Sequence, residues 1–260
     1  MNMLKTALVA VVGGCIGAGA LEGYRYAMQR GGASPSTAQL QSIIRDYIVS
    51  HPEVLQEAMA EFEKRQQVAE GEKARSAVKN HSDLIFNSPR QVVIGDKQGD
   101  VTLVEFFDYN CGYCKQALND MAALMKADSK LRVVLKEFPV LGPSSVEAAQ
   151  VATAVRMQDP TGEKHLAFHH KLLTSRGQAD KAKALAVAHE VGIDMARLET
   201  DLASDEVKAS IEESYKLAEQ LGMNGTPSYV IGSEIVVGAV GLATLKEKVR
   251  AARCGGTASC

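Results

Sequence analysis

The chain has 260 residues, enough for one sizeable domain and an appendage. Its 46% hydrophobic and 23% charged residues are those of an ordinary globular protein and exclude fibrous and disordered classes. A net charge of −2 offers no electrostatic basis for nucleic-acid binding, and 5% aromatics without tryptophan offer no stacking platform for bases or sugars.

Met1–Lys5 carries a positive charge, and Thr6–Ala20 is apolar, Gly-rich and uncharged. Residues 1–32 therefore read as an export signal with its linker, cut after Ala20, where Ala18-Gly19-Ala20 supplies small side chains. An uncleaved inner-membrane anchor is the rival, although the run is short for a span. Val12-Gly13-Gly14-Cys15 also admits a lipid-anchored reading. Each alternative places the body outside the cytosol, in the periplasm, where disulfides persist.

A helical segment is expected over residues 33–88. Ile43, Ile44, Tyr47 and Ile48 recur at helical spacing. Ser50-His51-Pro52-Glu53 stops that helix and starts another, with Ser50 as N-cap and Glu53 three residues on. Val54, Leu55, Ala58, Met59 and Phe62 form the second stripe, and Gln66–Lys79 continues as a charged helix. Two stripes are too few for a core. Short amphipathic helices are marginal alone in water, so a homo-oligomer formed through residues 40–66 is expected over packing on the chain's own body.

The body, residues 89–253, opens on a short edge strand at Gln91–Ile94 and a turn at Gly95–Asp100. Val101–Phe107 is apolar on both faces, as a central strand should be, and Leu131–Phe138 is a third strand. Residues 143–221 carry helical patterns and no strand-like run. Ser228–Ile231 and Ile235–Val237 close the sheet as a hairpin, and Leu242–Ala252 is the last helix. Cys254 and Cys260 bracket a flexible Gly-Gly-Thr-Ala-Ser spacer in the 254–260 tail, able to close a disulfide clasp.

Between the central strand and the helix after it lies Cys111-Gly112-Tyr113-Cys114. The first cysteine falls at a helix N-terminus, where free N–H groups and the helix dipole favour a thiolate. Cys111 is thus the expected nucleophile and Cys114 the resolving thiol. A closed zinc site needs four N/S ligands, and Cys15, Cys254 and Cys260 hold no second Cys-x-x-Cys. Downstream, Thr226-Pro227 opens an apolar run, the position of a cis-proline facing the cysteines. Strand, Cys-x-x-Cys, helix and a late Thr-Pro strand together specify an α/β thioredoxin fold. Here it carries an all-helical insertion and follows an N-terminal helical segment.

Phe106-Phe-Asp-Tyr-Asn-Cys-Gly-Tyr-Cys-Lys115, Glu137-Phe-Pro-Val-Leu-Gly-Pro143 and Gly225-Thr-Pro-Ser-Tyr-Val-Ile-Gly232 resemble the DsbA-type thiol–disulfide oxidoreductases. Within these they are most similar to the suppressor-of-copper-sensitivity (ScsC) group. The resemblance covers the last two-thirds of the chain, with a weaker likeness over Ile43–Phe62. It implies an exported protein-disulfide oxidoreductase or isomerase. Its partners would be unfolded or misfolded exported proteins and a membrane redox protein, and no cofactor is implied. Thr226, Pro227 and Tyr113 would meet substrate. Glu105, an acid in an apolar strand, needs a partner, and Lys136 in the neighbouring strand is the candidate. Such a Glu/Lys pair resembles the family's proton relay beneath the cysteines, with a structural ion pair as the alternative.

Of His165, His169 and His170, the first and second stand i, i+4 on one helix face with no matching Glu or third ligand evident; the three read as exposed or capped helix histidines, so no metal site is assigned. The competing functional class is an oligomeric chaperone or Cu(I)-handling module, since soft thiolates suit Cu(I).

Overall fold

The computed structural model describes residues 35–255. The export segment, Cys15 and Cys260 lie outside the described residues. The chain divides into two compact units, Met1–Gln66 and Gln67–Cys260.

The first unit contains helix α1 (Thr37–Ser50) and the opening turns of α2 (Glu53–Asn80). Ser36 caps α1 in a capping box: its hydroxyl accepts from Gln39 N at 3.3 Å, and Gln39 Oε1 accepts from Ser36 N at 2.9 Å. Ser50 caps nothing. It is the last residue of α1, and the break falls at His51-Pro52, where proline cannot continue the hydrogen-bond ladder. No residue of α1 is buried. Leu40, Ile43, Ile44, Tyr47, Ile48, Leu55, Met59 and Phe62 are all exposed.

The unit boundary lies earlier than the expected break at residue 88. The end of α2 and the short α3 (Ser82–Phe86) bury Val78 and Ile85 in the body, against Val104, Phe106 and Val134. Their apolar side chains belong to the sheet's core.

The body is a five-stranded sheet in the order β1-β3-β2-β4-β5. The strands are β1 (Val92–Gly95), β2 (Val101–Phe107), β3 (Leu131–Glu137), β4 (Ser228–Ile231) and β5 (Glu234–Val237). Only β2 and β3 run parallel, joined by helix α4 (Gly112–Ala127); every other pairing is antiparallel. Successive strand residues point to opposite faces, so the sheet has two cores. One packs Leu103, Phe107, Val133 and Leu135 under α4 and the insertion. The other packs Val104, Phe106 and Val134 under residues from α2, α3 and α9.

Five helices intervene between β3 and β4: α5 (Pro143–Met157), α6 (Glu163–Thr174), α7 (Lys181–Glu190), α8 (Met195–Leu202) and α9 (Asp205–Gln220). Pro143 sits in the first turn of α5, and Gly142 before it has φ of 103°, a conformation L side chains rarely adopt. Helix α10 (Gly241–Arg253) ends the body, and Cys254 after it is disulfide-bonded.

Candidate active site

Strand pairing decides what faces the cysteines. Ser228 pairs with Phe106 across the antiparallel β2–β4 ladder. Thr226, two residues earlier, therefore lies level with the loop that follows Phe107. The Thr226-Pro227 peptide bond is cis, and Cys111 Sγ donates to Thr226 O at 3.2 Å.

Cys111 is the N-cap of α4, and Cys111 and Cys114 are both free thiols. The Cys111 thiol is pulled down to about 5, first by a hydrogen bond from Cys114, then by the Thr226 side chain and the backbone of the first helical turn, against a desolvation cost. Cys114, 1% exposed, is pushed far above the ordinary thiol range by donating to Cys111 and by burial. Of the two sulfurs, that of Cys111 is thus the more easily ionised, and the proton is held on Cys114. Tyr113 between them is 65% exposed, and Val140 and Leu141 add exposed apolar surface.

Glu105 is 4% exposed and faces the α4 side of the sheet. Burial, followed by the charge of Cys111, raises its carboxyl to about 8. Its field in turn helps to raise Cys114.

Lys136 is not its partner. In the parallel register Glu105 lies beside Leu135, whereas Lys136 lies beside Phe106, so the two side chains leave the sheet on opposite faces. Lys136 Nζ donates to Leu84 O at 2.8 Å and stands 4.0 Å from Glu213. Burial lowers its ammonium to about 8. The expected Glu/Lys pair is absent because pairing needed the same strand parity.

The histidines also differ from expectation. His165 and His169 are buried, and only His170 is exposed. His169 meets Phe107 edge-on at 4.5 Å between ring centroids, and His165 Nε2 lies 3.8 Å from Glu137 Oε1. Burial depresses them to about 3 and about 4, so both are neutral core side chains. Among the described residues no group of three or more His, Cys, Asp or Glu could hold a metal ion.

Sequence reasoning passed over Asp108. Its carboxylate accepts from Asn110 N at 2.7 Å and Leu141 N at 2.9 Å, and its carbonyl accepts from Cys111 N at 3.1 Å. An acid directly after the apolar run Val101–Phe107 was the signal in the sequence; its burial and the turn it organises were not.

The DSBA-like thioredoxin domain matches residues 102–250, more than half of the chain. The chain belongs to this family. The copper resistance protein ScsC N-terminal domain matches residues 37–69. A thioredoxin-like oxidoreductase from Silicibacter pomeroyi is 43% identical, with a TM-score of 0.63, over 66% of this chain and 97% of that one. A linker-deleted mutant of Proteus mirabilis ScsC is 27% identical, with a TM-score of 0.65, over 86% of this chain and 99% of that one. Among curated relatives, a Na(+)/H(+) antiporter NhaA 1 from Salinispora arenicola is 27% identical over 168 residues. That match covers 64% of this chain but only 25% of the antiporter. In this DSBA-like body the cysteines lie at the start of α4, inside the matched segment.

Proposed function

We propose that the chain is an exported thiol–disulfide oxidoreductase that forms or rearranges disulfides in unfolded or misfolded periplasmic proteins. The observation that carries this reading is the placement of Cys111: it is the N-cap residue of α4, and its sulfur receives the Cys114 S–H and lies 3.2 Å from Thr226 O. In the reductive direction the Cys111 thiolate attacks one sulfur of a substrate disulfide. A mixed disulfide forms and the substrate's other sulfur leaves as thiolate. Cys114, losing its proton, attacks Cys111 and releases the second substrate thiolate. Glu105, whose charge helps to raise Cys114, would take that proton through water in its ionised form, which its carboxyl reaches as pH rises toward about 8. Oxidation of substrate dithiols is the reverse sequence, and a membrane redox partner would restore the Cys111–Cys114 disulfide. Tyr113, Val140 and Leu141 offer apolar contact to an unfolded chain, and the Thr226 backbone offers strand-like pairing.

The exposed stripes of α1 and α2 support association of copies, which would set several such sites around one substrate and favour isomerisation. The test is insulin reduction and refolding of scrambled RNase by the purified mature protein. Activity in both is expected. Inactivity in both, from a folded protein that binds Cu(I) through Cys111 and Cys114, would replace this reading with copper handling.

A further inference from the structure

The residues on either side of the Cys-x-x-Cys turn are tied to the same loop of the helical insertion. Asn110 immediately precedes Cys111. Its amide grips Ala179 twice: Nδ2 donates to Ala179 O at 2.9 Å, and Oδ1 accepts from Ala179 N at 2.8 Å. Nδ2 also donates to Ser145 Oγ at 3.0 Å and approaches Ser144 Oγ at 3.5 Å. Lys115 immediately follows Cys114, and its Nζ donates to Ser175 O at 3.4 Å. Ser175 and Ala179 both belong to the loop between α6 and α7.

That loop is held by its own bonds. Gln178 Nε2 donates to Ser144 Oγ at 2.8 Å, Lys183 Nζ donates to Arg176 O, and Asp180 caps α7 through Lys183 N at 2.9 Å. Ala179 is 2% exposed and Ser145 is fully buried. An amide that donates to and accepts from one backbone residue imitates a rung of strand pairing, and Asn and Gln carry both functions on one planar amide at any pH. Asparagine has the shorter reach that these distances require.

We propose that Asn110 is a positioning residue for the Cys111 sulfur, and that the insertion loop 175–179 sets the place of that sulfur by holding the turn through Asn110 and Lys115. This rests on the reading of Cys111 as nucleophile. The stabilising N–H groups belong to the first turn of α4, and the benefit of a helix terminus falls off within that turn. A displacement of a fraction of an ångström therefore costs thiolate. It also misaligns the sulfur for attack, where small errors of position are expensive. The insertion, which contributes no cysteine to the site, would thus govern its reactivity.

The experiment follows thiolate absorbance against pH in the reduced mature protein, together with insulin reduction and thermal unfolding. Asn110→Ala should raise the midpoint of the Cys111 titration by about one pH unit and slow insulin reduction about tenfold. Ser145→Ala, which removes one bond of the Asn110 amide, should shift the midpoint the same way by less. Leu198→Ala, in the buried face of α8, should lower the unfolding temperature and leave the midpoint alone. A folded Asn110→Ala protein with the wild-type midpoint would overturn the proposal, as would an equal shift in Leu198→Ala. If Asn110→Ala does not fold, Asn110→Ser and Ser145→Ala decide, and two unmoved midpoints overturn it. Shifted midpoints in a protein that never reduces insulin would sink the proposed function and leave the positioning role standing.

Discussion

The arm formed by α1 and the opening of α2 and the helices of the body carry the same apolar periodicity and meet opposite fates. Ile43 and Phe62 are 60% and 61% exposed, while Leu118, Met121 and Leu124 of α4 are buried. Spacing does not separate the two. Helix α4 joins two parallel strands, so the crossover lays it on the sheet whatever its own preferences. Helix α1 is tied to no strand, and α2 after it is charged along most of its length. Periodicity says that a face needs a partner; connectivity says whether the chain supplies one.

If the chemistry belongs to the body alone, Cys111→Ser should cut insulin reduction by roughly 10³-fold or more, whereas Cys114→Ser should accumulate mixed disulfides visible on non-reducing gels. Adducts on Cys111→Ser in place of Cys114→Ser would reverse the two roles. If the arm serves association, deleting residues 1–66 should leave a folded monomer whose insulin reduction stays within about twofold while scrambled-RNase refolding falls about tenfold. Light scattering that finds the intact mature protein monomeric at micromolar concentration would remove that division of labour.

Within the body, the two faces of the sheet sharpen the contrast. Near pH 8, where the wild-type carboxyl becomes ionised, Glu105→Gln should slow release of mixed disulfides about fivefold, because water replaces a nearby proton acceptor. The carboxyl rises from 4.5 to about 8 on folding, so between those values the folded state holds the extra proton. Stability then falls as pH rises through this window, and the slope should vanish in the variant. At neutral pH the variant should be more stable by on the order of 3 kcal/mol. Urea titrations that give wild type a flat profile there would dismiss the buried acid. Lys136→Met should produce the smallest effect: release of mixed disulfides within about twofold of wild type, and a stability change of about 1 kcal/mol in either direction, since a desolvated ammonium and its bond to Leu84 O vanish together. A change in release as large as that of Glu105→Gln would mean that the lysine acts across the sheet.

Much of this was legible in the chain. Val101–Phe107 and the Leu131 strand read correctly because strands buried on both faces are continuous apolar runs. Cys111 reads as standing at a helix N-terminus because an apolar run, a turn and helix formers meet there, and it is the N-cap of α4. The insertion was visible as a long tract without a strand. The Glu105–Lys136 pair misled because both residues are charges in apolar strands, and only the register reveals their opposite parity. His165 and His169 misled because a histidine on a helix looks alike in water and against Phe107.

Local chemistry is written along the chain: which segments become strands and helices, which thiol begins a helix, and where the first helix stops before Pro52. These depend on neighbours a few residues away and on backbone preferences each residue carries with it. Only the tertiary structure decided which side chains meet. It brought Thr226 O to Cys111 across 115 residues, parted Glu105 from Lys136, buried the histidines, and closed Asn110 on Ala179 across 69. Those contacts hang on strand register and helix docking, and a shift of one residue in either would rearrange every one of them.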